Sequence, residues 1–239
     1  MNAEDTKKLL IKELGEEKGE VQFRKYFEPV TAYLAIGAPD AAMDFSGEIP
    51  LVHPKTGYVY LADRTEYFIW TMCRTKILTE EEIYNLVFKH QGKYDLDVSH
   101  TMQCLEQLVE AKVVLRYQMY GESYAKFWLL NLCRFTSIDL NFKDKLHLLS
   151  MSIKQNSLGK MARKTLPKAF SKLELTEDER KVYEHYQKPD EQNYSDIQDF
   201  FYNNDKTTDV EKTVEIFESL LQKGAIYISD AAESLKRQF

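Results

Sequence analysis

The chain reads as an α+β protein, mostly helical, with two winged-helix cores in tandem, the first preceded by a small antiparallel sheet. Three observations predict this. From Gly57 to Leu115 the sequence runs as a strand, three short helices and a strand. Upstream, Thr31 to Leu61 alternates and turns like a small sheet. From Thr176 onward the order helix, helix, helix, strand recurs.

Within the first core, Tyr58, Val59, Tyr60 and Leu61 follow Gly57 and are strand-forming residue types. Asp63 caps a helix whose Tyr67, Phe68 and Met72 make a broad apolar stripe. Thr79 and Glu82 have the spacing of a capping box, opening a second helix that buries Ile83, Leu86 and Val87. Asp97 or Ser99 opens a third, with Val98, Met102, Leu105 and Val109 as its core stripe, and Val113 to Leu115 follow as a strand. Upstream, Tyr33, Leu34 and Ile36 precede a turn at Gly37, Ala38 and Pro39, and Ile49, Leu51 and Val52 precede Pro54 and Gly57. With Tyr58 to Leu61 these predict a meander of about three strands. Met1 to Glu28 is charged, and Leu9, Leu10, Ile11 and Leu14 give one apolar side of a short helix.

After Leu115, the runs VVLRYQMY and YAKFWLL are separated by Gly121, Glu122 and Ser123, which predicts a hairpin in the position of a wing. Only Arg116 and Lys126 are basic there, among Tyr117, Tyr120, Tyr124, Phe127 and Trp128, a composition that favours a packed interface over a nucleic-acid platform. Asn141 to Lys172 predicts a helix carrying Leu146 to Ile153 and then a basic linker with Gly159 and Pro167. In the last segment Asp209, Val210, Thr213, Glu218 and Leu220 match Asp97, Val98, Thr101, Glu106 and Leu108 at constant spacing. The organisation predicted is a helical extension (1–28), a first core with its hairpin (29–140), a basic helix and linker (141–172) and a second core (173–239).

The order of features from Thr31 to Leu115 resembles the PqqD-like peptide-recognition domains, or RiPP recognition elements. The resemblance rests on the strand ending in Leu61 and a polar cap, the helix Thr65 to Cys73, the Thr79-x-x-Glu82-Ile83 step, and the acidic-Val start at Asp97 and Val98. It implies a domain that holds the leader peptide of a ribosomally made precursor. In that mode the leader adds as a strand beside the strand before the first helix and lies against the last helix. The edge would be Tyr58, Val59, Tyr60 and Leu61. The pocket wall would be a second stripe on the third helix, Thr101, Cys104, Leu108 and Ala111. The alternative for that stripe is packing on the segment after Leu115.

Composition narrows the function. With 44% hydrophobic and 13% aromatic residues the chain can bury a core. A net charge of −6 and a pI near 5.5 argue against nucleic acid as the main partner. No apolar run approaches the roughly 20 residues that span a bilayer, and the start has no signal-peptide core, so a cytoplasmic protein without a membrane partner is expected. Cys73, Cys104 and Cys133 are far apart in apolar contexts and read as buried free thiols. There is no phosphate loop, metal-ligand spacing or nucleophile motif, and the five histidines are scattered singly. The expectation is a protein without catalytic residues, cofactor or metal. It would be an adaptor that presents precursor peptides to separate modifying enzymes in bacterial peptide antibiotic biosynthesis, of the thiopeptide, azole-bearing or other bacteriocin kind. A homodimer is left open. The rival is a tandem winged-helix transcriptional regulator reading DNA with its third helices.

Overall fold

The computed structural model describes residues 3–37, 48–137, 174–187, 196–201 and 208–236. The fold is mixed α+β with small antiparallel sheets. The predicted helix and linker between residues 141 and 172 lie outside the described residues.

Where the sequence predicted one leading helix there are two, α1 (Ala3–Leu14) and α2 (Glu16–Phe27). Gly15 breaks them with φ 85°. Gly19 then lets α2 lie on α1, since a Cβ there would come within 2.5 Å of the Ile11 Cα. Three consecutive residues of α2 reach to different parts of the molecule. Arg24 pairs with Glu81, while Lys25 and Tyr26 both reach Glu211.

The predicted three-strand meander is corrected. β2 (Ile49–Val52) and β3 (Val59–Ala62) do form an antiparallel hairpin, but β1 (Pro29–Ala35) leaves it. β1 instead lies between β4 (Leu78–Thr79) and β5 (Val114–Tyr120), antiparallel to both. This explains why β1 reads as a nearly continuous apolar run: both faces are covered. Tyr33 and Ala35 face one core, with Ile69, Trp70, Cys73, Ile83, Leu105 and Val109 from α3 (Arg64–Thr75), α4 (Glu80–Tyr94) and α5 (Thr101–Glu110). Ala32, Leu34 and Ile36 face a second core on the other side.

The predicted hairpin after Leu115 is corrected too. β5 is followed by a helix, α6 (Glu122–Asn131). A short apolar run does not by itself distinguish strand from helix. Gly121 makes the turn at φ 82°, and Lys126 reaches back to Glu122 at 2.8 Å, an i,i+4 pair that only a helix brings together. Tyr117, Phe127 and Trp128 pack into the second core, as the aromatic density of this stretch suggested.

The strand β6 (Cys133–Ser137) falls inside the first domain as drawn from sequence, yet it pairs antiparallel with β7 (Ile226–Ala231) at the far end of the chain. Between them stand α7 (Glu177–His185), a 3-10 turn at Asp196–Asp199 where a full helix was predicted, and α8 (Val210–Gln222). The short α9 (Glu233–Lys236) follows. The opening strand of the second unit is therefore β6. Phe200, Phe201, Phe217 and Leu220 fill the second core, against the outer face of β1 and α6. Phe135 and Phe217 meet with ring centroids 5.0 Å apart.

The two units share an order of elements: opening strand, helices, closing strand antiparallel to the opening one. The match is closest around α5 and α8, at an offset of 112 residues (Asp97 to Asp209, Val114 to Ile226). Asp97 and Asp209 each accept a main-chain N–H from the first turn that follows. The hydroxyls of Thr101 and Thr213, both buried, each donate to a carbonyl of the preceding turn. Both helices also end alike, with Val113 N–H bonded to Leu108 and Ala225 N–H bonded to Leu220.

Candidate functional site

The hairpin β2–β3 is positioned from both ends. At its turn, His53 donates its N–H to the Tyr58 carbonyl (2.8 Å), and Lys55 forms an ion pair with the buried Asp230 of β7 at 2.6 Å. At the other end Asp63 and Glu66 form a capping box on α3, and the Glu66 carboxylate also accepts the Tyr60 hydroxyl at 2.5 Å. Glu66 thus ties strand to helix. Burial and that bond push the Tyr60 phenol well above its ordinary range. The Thr65 hydroxyl oxygen accepts the Asp97 N–H at 3.0 Å, which docks the start of α5 against the start of α3.

Bonded pairs alternate along an antiparallel ladder. With His53 and Tyr58 bonded, Leu51–Tyr60 and Ile49–Ala62 are the exchanging pairs of the register. The N–H and C=O groups of Val59 and Leu61 therefore point away from β2. Among the described residues no main-chain bond beyond the ladder reaches them. The side chains are accessible as well: Tyr58, Val59 and Leu61 are 52%, 47% and 55% exposed, while Tyr60 packs inward. Val59 stands opposite Val52, and Leu61 opposite Pro50, so four apolar residues share the outer face of the hairpin. Pro50, as part of this face, was not singled out from sequence. No sequence signal marks it, because Ile49, Pro50, Leu51 and Val52 are all apolar and only the fold separates buried Ile49 and Leu51 from exposed Pro50 and Val52.

The wall expected on α5 is closed. Leu108 has no exposed surface, Thr101 and Cys104 are buried, and only Ala111 is partly accessible. Cys104 and Leu108 belong to the first core with Leu105 and Val109. Conversely Met102, expected in the core, is 38% exposed. The physical reason is that α5 turns the face carrying Thr101, Cys104, Leu105, Leu108 and Val109 inward, so the two stripes read from sequence are one buried face. The Cys104 thiol is pushed up to about 12 by burial and by the carboxylates of Asp63, Glu66 and Asp97. The accessible surface of α5 is Met102, Gln103, Gln107 and Glu110, which carries no positive charge.

Asp97, Ser99 and His100 do come together at the start of α5. The His100 Nδ1 meets Asp97 at 2.7 Å and the Ser99 hydroxyl at 3.1 Å, while that hydroxyl is also 2.6 Å from Asp97. Serine and aspartate thus share one ring nitrogen. A proton relay needs them on opposite nitrogens, so this cluster is an exposed helix cap. Among the described residues no group of His, Cys, Asp and Glu could hold a metal ion, and no helix is long and apolar enough to cross a membrane. Cys73, Cys104 and Cys133 are free and buried. No family model, curated protein or solved structure matches the chain.

Proposed function

We propose that the protein is a non-catalytic adaptor with two winged-helix cores, the first of the PqqD-like kind, which captures the leader peptide of a ribosomal precursor on the free edge of β3. It then presents the peptide to separate modifying enzymes, in a cytoplasmic pathway making a bacterial peptide antibiotic. The observation that carries this reading is the outward-facing main chain of Val59 and Leu61, set in an accessible apolar strand. An extended peptide gains main-chain bonds from such an edge and specificity from alternate side chains. Because the α5 wall is closed, that specificity comes from Tyr58, Val59 and Leu61 in place of Thr101, Cys104 and Leu108. The DNA-binding alternative fits poorly with α5, whose accessible residues include an acid and no base.

Calorimetric titration with the synthetic leader segment of any short, Cys-, Ser- and Thr-rich reading frame found next to this gene tests the proposal. Binding of about micromolar strength is expected. It should weaken at least tenfold, about 1.4 kcal/mol, in Leu61→Glu and be lost when alternate peptide nitrogens are methylated. Undiminished binding of the methylated peptide would sink the strand-addition reading.

A further inference from the structure

The hairpin β2–β3 is a sheet by itself: each strand has four residues, and among the described residues neither pairs with a third strand. A two-stranded hairpin of this length is marginal in water unless it packs on something else. Ile49, Leu51 and Ala62 are buried beneath it, while the Tyr60–Glu66 bond and the capping box secure only the end next to α3. At the other end the turn is knit within itself. Besides the His53–Tyr58 bond, Gly57 donates its N–H to the His53 carbonyl at 2.9 Å, and Lys55 its N–H to the His53 Nδ1 at 3.3 Å. The Lys55 ammonium then carries the turn to Asp230, in the second unit.

The register of β7 suits this contact. It pairs Ile228 with Phe135 and Asp230 with Arg134, so Ser229 is an extra residue, a bulge. A bulge re-aims the side chains beside it. Although Arg134 stands opposite Asp230 in the ladder, one oxygen of the buried carboxylate leaves the β6–β7 sheet and meets Lys55 at 2.6 Å. A second tie joins the same strand to the first unit, because Gly37, just past β1, donates its N–H to the Ile228 carbonyl at 3.0 Å.

The ion pair exists only while the turn is docked on β7, and an added strand needs β3 extended and in register, which a docked turn maintains. A ligand that binds only the docked state shifts the hairpin toward it, and by linkage whatever favours docking raises the affinity for that ligand equally. We propose that Lys55 and Asp230 couple the β3 edge to the second unit, so that a captured peptide tightens the docking of the hairpin on β7 and the second unit sets how firmly the edge holds it. This rests on peptide capture at β3 as proposed above. Lys55 and Asp230 act as positioning residues that need not touch the peptide. With the Lys55 side chain 57% exposed, the coupling is modest, roughly threefold to fivefold in affinity.

Amide exchange followed residue by residue in the full chain tests this without any ligand. In Lys55→Met the N–H groups of Leu51, His53 and Tyr60 should exchange roughly threefold to fivefold faster, while those of α4 and β5 keep their wild-type rates. Asp230→Asn should act alike, the double variant should add nothing to either, and Lys55→Arg should behave as the wild type. With the leader segment titrated above, the Kd should rise by the same factor in Lys55→Met, and exchange across β6–β7 should slow on binding in the wild type alone. Equal exchange at Leu51, His53 and Tyr60 in the wild type and both single variants would overturn the coupling, as would additive effects in the double variant. A leader segment that did not bind the wild type would sink capture at β3 and this coupling with it, whereas equal binding by the wild type and Lys55→Met would overturn the coupling alone.

Discussion

Lys112 and Gly224 occupy the same left-handed position after equivalent helices, with φ of 58° and 65°, one strained and the other at ease. A side chain in this region costs about 1–2 kcal/mol, which glycine avoids. Lys112 is exposed, so little packing is lost on replacement. Lys112→Gly should therefore stabilise the protein by about 0.5–1 kcal/mol after the added entropy of the unfolded chain is counted. The urea midpoint measures it, and a lower midpoint would contradict the account of this cap.

Leu108 and Leu61 should respond to substitution in opposite ways. Leu108→Ala removes a side chain sealed in the first core and should cost about 2–5 kcal/mol. Leu61 is more than half exposed, so Leu61→Ala should stay within about 0.5 kcal/mol of the wild type in stability while weakening peptide binding. Denaturation and titration on the same two variants separate fold from site.

Glu179 predicts an acid limb. Its carboxylate meets the Lys223 ammonium at 2.6 Å, accepts from Ser219 and closes the capping box with Thr176. Against the opposing effect of burial, these bonds lower it to about 2 from the ordinary 4.5. A depressed carboxylate stabilises above its unfolded value, and that contribution is lost as pH falls through the folded one. Stability should decline from about pH 4.5 toward pH 2, and Glu179→Gln should be less stable at neutral pH with a flatter acid limb. Thermal melting across that range checks both.

Duplex DNA should be bound weakly and without sequence preference at physiological salt. The accessible face of α5 offers Met102, Gln103, Gln107 and Glu110, and none of these neutralises a phosphate. A mobility shift on promoter DNA that survives competitor would refute the adaptor reading.

What could be read from the sequence was local. The Asp63 cap, the capping box at Thr79, the strand at Tyr58 to Leu61 and the correspondence of α5 with α8 all rest on neighbours within one or two turns. What could not be read was which strand pairs with which. The run at Pro29–Ala35 looked like the first strand of a meander, but its partner is Val114–Tyr120, and an apolar run carries no record of its partner. The same gap misplaced Cys133–Ser137 and turned α6 into a hairpin strand. The Thr101, Cys104 and Leu108 stripe was seen, but whether an apolar stripe faces a ligand or the chain itself depends on packing that periodicity does not encode.

The pairing of β1 with β5, and of β6 with β7, has a consequence for how the chain is made. Each sheet joins the two ends of its own unit, Ala35 to Val114 and Ser137 to Ile226, so neither closes through local contacts. During synthesis the first unit can close once β5 has left the ribosome. The second unit waits for β7, and until then the outward face of α6, which itself covers Leu34 and Ile36 of β1, has no cover from α8. A nascent chain halted before residue 226 would display that face and the unpaired β6 together, a surface suited to chaperone capture and prone to aggregation.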